Sequence, residues 1–156
     1  MNGFKHKRAS TVWVVLGLTG LLATAAQAKN VTIPAGFQGQ WAYADNAQQR
    51  SKVCAGKYDS DDGVMMYVNA AKKSVEVWFY EGGYKSRWVS IQQPKPNQIS
   101  GKVSRVYLEP GEPVQAAVME HISMTLIDNG KQLQTKNVLS DPKAATFLLC
   151  SRKTQV

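Results

Sequence analysis

From residue 29 onward, apolar and polar residues alternate with period two in short runs, each broken by turn residues. That period puts successive side chains on opposite faces of a strand, and no long run of period 3.6 competes with it. The pattern predicts eight strands, at 37–43, 64–69, 74–81, 84–92, 97–108, 114–127, 131–138 and 145–150. Gly82-Gly83, between two aromatic-rich runs, predicts a two-residue hairpin, because such turns need positive φ. Asp128-Asn129-Gly130 predicts another hairpin, and Glu109-Pro110-Gly111-Glu112-Pro113 a further reversal. The polar stretch from Asp45 to Gly63 is the longest irregular connection, with room for a helical turn in 46–56, as there is in 141–146. Successive strands joined mostly by short turns predict an all-β, eight-stranded antiparallel up-and-down barrel, since closure removes exposed edges. A β-sandwich is the alternative, because strand spacing does not separate the two.

The first 28 residues are built differently. Lys5, Lys7 and Arg8 precede an apolar run from Val12 to Leu22, and Ala26-Gln27-Ala28 ends the segment on small residues. This order predicts a signal peptide cleaved before Lys29. The apolar run falls short of the about 20 residues that span a bilayer, so no stable membrane anchor is expected. The expectation is a periplasmic or secreted bacterial protein, with one domain over 29–156. Without Lys5, Lys7 and Arg8, the 19 Lys+Arg fall to 16 against 11 Asp+Glu, and the net charge drops from +8 to +5. The remaining bases are scattered, with Lys72-Lys73 as the sole adjacent pair. A clustered basic face marks nucleic-acid binders, so no nucleic-acid partner is expected.

Cys54 and Cys150 are the two cysteines. An exported chain with an even count predicts a disulfide. Free thiols or a metal pair are the alternatives, but a metal needs more ligands and His121 is the one histidine beyond residue 28. A loop of that length gives about 4–5 kcal/mol by chain entropy.

Gly39-Gln40-Trp41 on the first strand resembles the G-x-W pattern of the lipocalins and wider calycin-type barrels, and Arg152 follows the last strand. The layout is similar to small exported bacterial lipocalin-like proteins, in which F-Y-E stands mid-chain (here Phe79-Tyr80-Glu81) and a Cys near an Arg ends the domain (Cys150 and Arg152). The T-D-Y signature is absent. The resemblance implies structural roles for Gly39, Trp41 and Arg152, with the Arg side chain packed over the Trp ring at the closed end of the barrel.

No framework for nucleophilic catalysis or phosphate cradling occurs: the chain lacks G-x-S-x-G, G-x-x-x-x-G-K and G-x-G-x-x-G. No cofactor or metal is expected, and Asp59-Ser60-Asp61-Asp62-Gly63 lacks the Gly and Glu spacing of an EF-hand loop. Candidate chemistry lies on the strand faces. Val114, Ala116, Val118, Glu120, Ile122, Met124 and Leu126 form one stripe with a single charge. Arg87 shares a face with Val89 and Ile91, and Arg105 with Ile99, Val103 and Tyr107. If these faces point inward, Arg87, Arg105 and Glu120 meet inside the barrel, as an ion-pair network or as a ligand's polar anchor. Trp78 and Tyr80 share a face opposite Val75, Val77 and Phe79. With Trp88 they offer aromatic walls for a ligand or partner, or cross-strand packing such as Trp78 on Trp88.

The expected function is non-enzymatic binding of a small apolar or amphipathic ligand by Arg87, Arg105, Glu120, Tyr107, Trp78, Tyr80 and Trp88. The alternative is an envelope protein-binding module, such as an enzyme inhibitor or immunity protein.

Overall fold

A computed structural model of the chain describes residues 32–57, 59, 63–139 and 144–153. The expected leader (1–28), residues 60–62 of the Asp59–Gly63 loop and residues 141–143 lie outside the described residues. The strands are β1 (Gly39–Tyr43), β2 (Val64–Asn69), β3 (Ser74–Phe79), β4 (Gly82–Trp88), β5 (Gln92–Lys95), β6 (Gln98–Leu108), β7 (Val118–Ile127), β8 (Gln132–Lys136) and β9 (Ala144–Ser151). All pairings are antiparallel, β9 returns to β1, and β4 pairs with β6, so the sheet closes. β4 lies along the second half of β6 and β5 along its first, so the two serve as one bent strand. The fold is therefore a closed, eight-stranded antiparallel up-and-down barrel, compatible with a lipocalin-like fold, and the sandwich alternative is set aside.

Alternation fills the interior. Trp41, Met66, Val68, Val75, Val77, Tyr84, Ile99, Val103, Ile122, Met124, Leu133 and Phe147 are all buried in one cluster. Burying each such side chain contributes roughly 1.5–3 kcal/mol. A 3-10 turn over Ala35–Phe37 plugs the end from which β1 departs, with Phe37 fully buried. We call this end the base and the opposite end, with the β3–β4 and β6–β7 connections, the mouth.

A second, smaller core forms on the outer wall. Helix α1 (Ala47–Cys54) begins at Asn46, whose side chain accepts from Gln49 N at 2.9 Å, satisfying one free N–H of the first turn. Its Val53 packs with Ala42 and Met65, beside Tyr67, Trp78 and the Cys54–Cys150 disulfide. The disulfide joins the end of the helix to β9 with a Cα–Cα distance of 5.4 Å.

Three boundaries differ from those the sequence suggests. The β3–β4 reversal uses Tyr80 and Glu81, and Gly82-Gly83 begins β4 instead. Gly83 is needed there for close approach, since a Cβ on it would press into the Val77 carbonyl and the Trp78 side chain. The run 84–92 is interrupted: Val89 N and Ser90 N both donate to Lys102 O, two residues facing one in a bulge. Finally, the run 114–127 becomes a strand only at Val118, because β7 pairs with β6 no further than Val118↔Arg105. Residues 114–117 are exposed loop, so Val114 and Ala116 are not core.

Candidate functional site

The inward faces of β4, β6 and β7 carry a polar cluster in the mouth half of the barrel. Arg105 is 1% exposed and Nη1 lies 2.7 Å from Glu120 Oε2. Its Nε donates to Ser86 Oγ at 3.2 Å, and Nη2 donates to Asn137 O at 2.9 Å and Val138 O at 3.2 Å. The guanidinium also stands 4.3 Å from the Tyr84 ring centroid. Tyr84 OH donates to Val138 O, and Tyr107 OH to Glu120 Oε1 at 3.4 Å. Every nitrogen of Arg105 is thus engaged, as a buried charge requires. Burial pushes the Tyr84 hydroxyl far above its ordinary value of 10.0, and the nearby Arg105 charge offsets only part of that rise. Tyr84 therefore remains a protonated donor at neutral pH.

Above this cluster the mouth opens into a cleft of about 490 Å³. Phe79, Tyr84 and Tyr107 form its aromatic part, with ring centroids 5.7 Å apart in both the Phe79–Tyr84 and the Tyr84–Tyr107 pair. Glu81, Glu109 and Glu112 bring carboxylates to its lining, and Gly82, Gly83 and Pro110 complete it. Tyr80 (61% exposed), Val114 (71%), Val118 (49%) and Met119 (55%) leave apolar surface at the same end.

The residues expected to share one ligand site separate into several places. Arg105, Glu120 and Tyr107 meet inside. Arg87 does not: it is exposed on the outer face, opposite Ser74 and Ser104. The inward positions of β4 are Tyr84, Ser86 and Trp88, so Arg87 points out together with Val89, which is 62% exposed, and only Ile91, beyond the bulge at 89–90, packs on the core. Trp88 points inward but sits at the base end of β4, 6% exposed. Trp78 packs on the outer wall against the α1 core, and Tyr80 stands at the tip of the β3–β4 turn. Trp78 lies opposite Gly83, not Trp88, so the suggested Trp–Trp packing does not form. Sequence reasoning passed over Phe79, Glu81, Glu109 and Glu112 as site residues, although Gly82-Gly83 and E-P-G-E-P already marked two turns at one end of a meander.

At the base, Arg152 stands 5.1 Å from the Trp41 ring centroid and donates to Gly36 O, Gly130 O and, at 3.3 Å, Gln38 O. Trp41 Nε1 donates to Phe37 O at 3.1 Å. Gly39 has φ +146°, and a Cβ on it would fall 2.5 Å from Ser151 O, so the close β1–β9 approach demands glycine.

In comparisons with known proteins, the chain matches no family model, no curated protein and no solved structure. Among the described residues, no three His, Cys, Asp or Glu side chains are grouped to hold a metal ion. No helix among them is long and apolar enough to cross a membrane.

Proposed function

We propose that this chain is an exported, non-enzymatic barrel that binds a small amphipathic ligand at its mouth. The observation that carries this reading is the cleft over Phe79, Tyr84 and Tyr107 with its three lining carboxylates. Pockets of this kind combine apolar walls with a few polar groups that fix orientation. The polar cluster and the buried core lie directly below the cleft, so the ligand sits on the aromatic rings at the mouth. Glu81, Glu109 and Glu112 favour a positively charged head over an anionic one. Titrating the purified protein with dodecyltrimethylammonium below its micellar range tests this, with near-ultraviolet circular dichroism reporting on the tyrosines. Saturable binding that weakens in Y107A supports the reading. The absence of saturable change with this probe, together with an organic extract free of bound small molecules, overturns it.

A second reading, a protein-binding module, is favoured by the exposed apolar set Tyr80, Val114, Val118 and Met119 around the same end. It predicts a stoichiometric envelope protein retained by the wild-type chain and lost on M119D, with no dodecyltrimethylammonium binding.

A further inference from the structure

One row of side chains on the outer wall is apolar. Ala42 pairs with Met65, and Met65 with Trp78, so the three stand side by side across β1, β2 and β3. They point away from the barrel core because their chain neighbours Trp41, Met66 and Val77 point into it. The next outward row, Gln40, Tyr67, Glu76 and Lys85, is mostly polar. Ala42 and Met65 are nevertheless fully buried. Their cover is α1, which packs on them through Val53, its one buried side chain.

A helix of 8 residues does not hold itself in place, since isolated helices shorter than about 12–15 residues are marginal in water. Gln40 Nε2 donates to Cys54 O at 3.0 Å, and the Cys54–Cys150 disulfide fastens the last turn of α1 to β9. Both cysteines are half-buried on the outer wall, within reach of a reductant in solution. The apolar cluster around them is separate from the barrel core. Release of α1 would therefore leave the interior packing intact.

We infer that the Cys54–Cys150 bond is a redox latch: a dithiol reductant opens it, α1 leaves the outer wall, and the apolar row of Met65 and Trp78 is uncovered. Bonds accessible to solvent are more readily reduced than enclosed ones. One thiolate of the reductant attacks Cys54 Sγ, and Cys150 leaves as a thiolate and takes up a proton. Cys150 is the better leaving group, because a thiolate on Cys54 would face the carbonyl end of α1. The second thiol of the reductant then displaces Cys54 from the mixed disulfide. Two electrons and two protons pass to Cys54 and Cys150, and the dithiol becomes a disulfide. The latch sits on the outer wall and does not depend on ligand binding at the mouth.

The test treats the folded protein with dithiothreitol and counts free thiols by alkylation and mass spectrometry on a parallel sample. The expected result is release of both thiols without denaturant, with the far-ultraviolet circular dichroism of the sheet retained. Tryptophan emission shifts to the red at a temperature where the oxidised protein shows no shift, and W78F lacks that change. Hydrogen exchange rises at Arg50 and Ala55, whose amides bond to Asn46 O and Ser51 O. The rise is about a hundredfold, the factor that loop-closure entropy gives for a tether on so short a segment. Amides of β6 and β7 keep their protection, and oxidised glutathione restores the starting signals. The inference is overturned if the bond resists dithiothreitol until urea unfolds the barrel. It is overturned equally if emission and exchange stay unchanged with both thiols free, if the sheet signal collapses on reduction, or if reoxidation does not reverse the change.

Discussion

Arg105 Nη1 sits 2.7 Å from Glu120 Oε2, yet the two side chains are 1% and 27% exposed. The pair is thus a fully buried cation tied to an anion at the edge of solvent. Glu120 keeps part of its hydration, while Arg105 has exchanged all of its own for Ser86, two carbonyls and the carboxylate. Removing the anion leaves the cation stranded, which is the costly way to break such a pair.

E120A therefore destabilises the fold by about 2–4 kcal/mol, below the top of the range for fully buried pairs because Glu120 is partly solvated. The double variant R105M/E120A recovers part of that loss, since no uncompensated charge remains. Urea denaturation of wild type, both single variants and the double variant checks the sign of the coupling. Simple additivity of the single effects would count against an interaction between the two residues.

Tyr84 links stability to alkaline pH. Burial raises its folded pKa above the unfolded value of 10.0, so the folded state favours the protonated hydroxyl. That contribution is fully present below pH 10 and is lost as pH rises from 10 toward the folded value. Y84F cannot ionise and also loses the bond to Val138 O. It should be about 1 kcal/mol less stable at neutral pH and fall off less steeply above pH 10. Thermal midpoints measured from pH 7 to 11.5 test this, and parallel curves would exclude Tyr84 as a source of the alkaline limb.

The faces of β2 and β3 were legible because Val75, Val77 and Met66 alternate without interruption from turn to turn. Arg87 was not, because Ile91 reaches the core only after the extra residue of the 89–90 bulge, while Arg87 and the exposed Val89 before it share the outer face. The mouth cleft escaped notice for a related reason. Residues 114–117 carry strand-like apolar spacing, but β7 pairs with β6 no further than Val118↔Arg105, which leaves them as exposed loop.

The Cys54–Cys150 bond closes a loop of 96 residues. Chain entropy assigns such a closure about 4–5 kcal/mol, before native strain is subtracted. Because Cys54 ends α1, C54A/C150A also frees the helix from the outer wall and wets Trp78. The expected sequence on heating is a red shift of part of the tryptophan emission first, followed by cooperative loss of the sheet signal at a lowered midpoint. Coincident transitions would show that the helix is held by its Val53 contacts alone.

Arg152 tests how the base is kept shut. It is exposed, yet it reaches carbonyls of Gly36, Gln38 and Gly130 while lying over Trp41. These carbonyls belong to the plug, the approach to β1 and the β7–β8 turn, so one side chain ties three segments at the point where the barrel begins and ends. Lysine keeps the charge and an ammonium over the ring, but it lacks the planar fork needed to bond all three carbonyls together. R152K should therefore cost about 1–2 kcal/mol, roughly the net worth of one or two hydrogen bonds, and R152A more, since the cation–π contact goes as well. Local loosening should precede global unfolding: hydrogen exchange in R152K should rise at Phe37, whose amide bonds to Pro34 O, while amides of β6 and β7 stay protected. Uniform acceleration across the barrel would instead make Arg152 a contributor to the whole core.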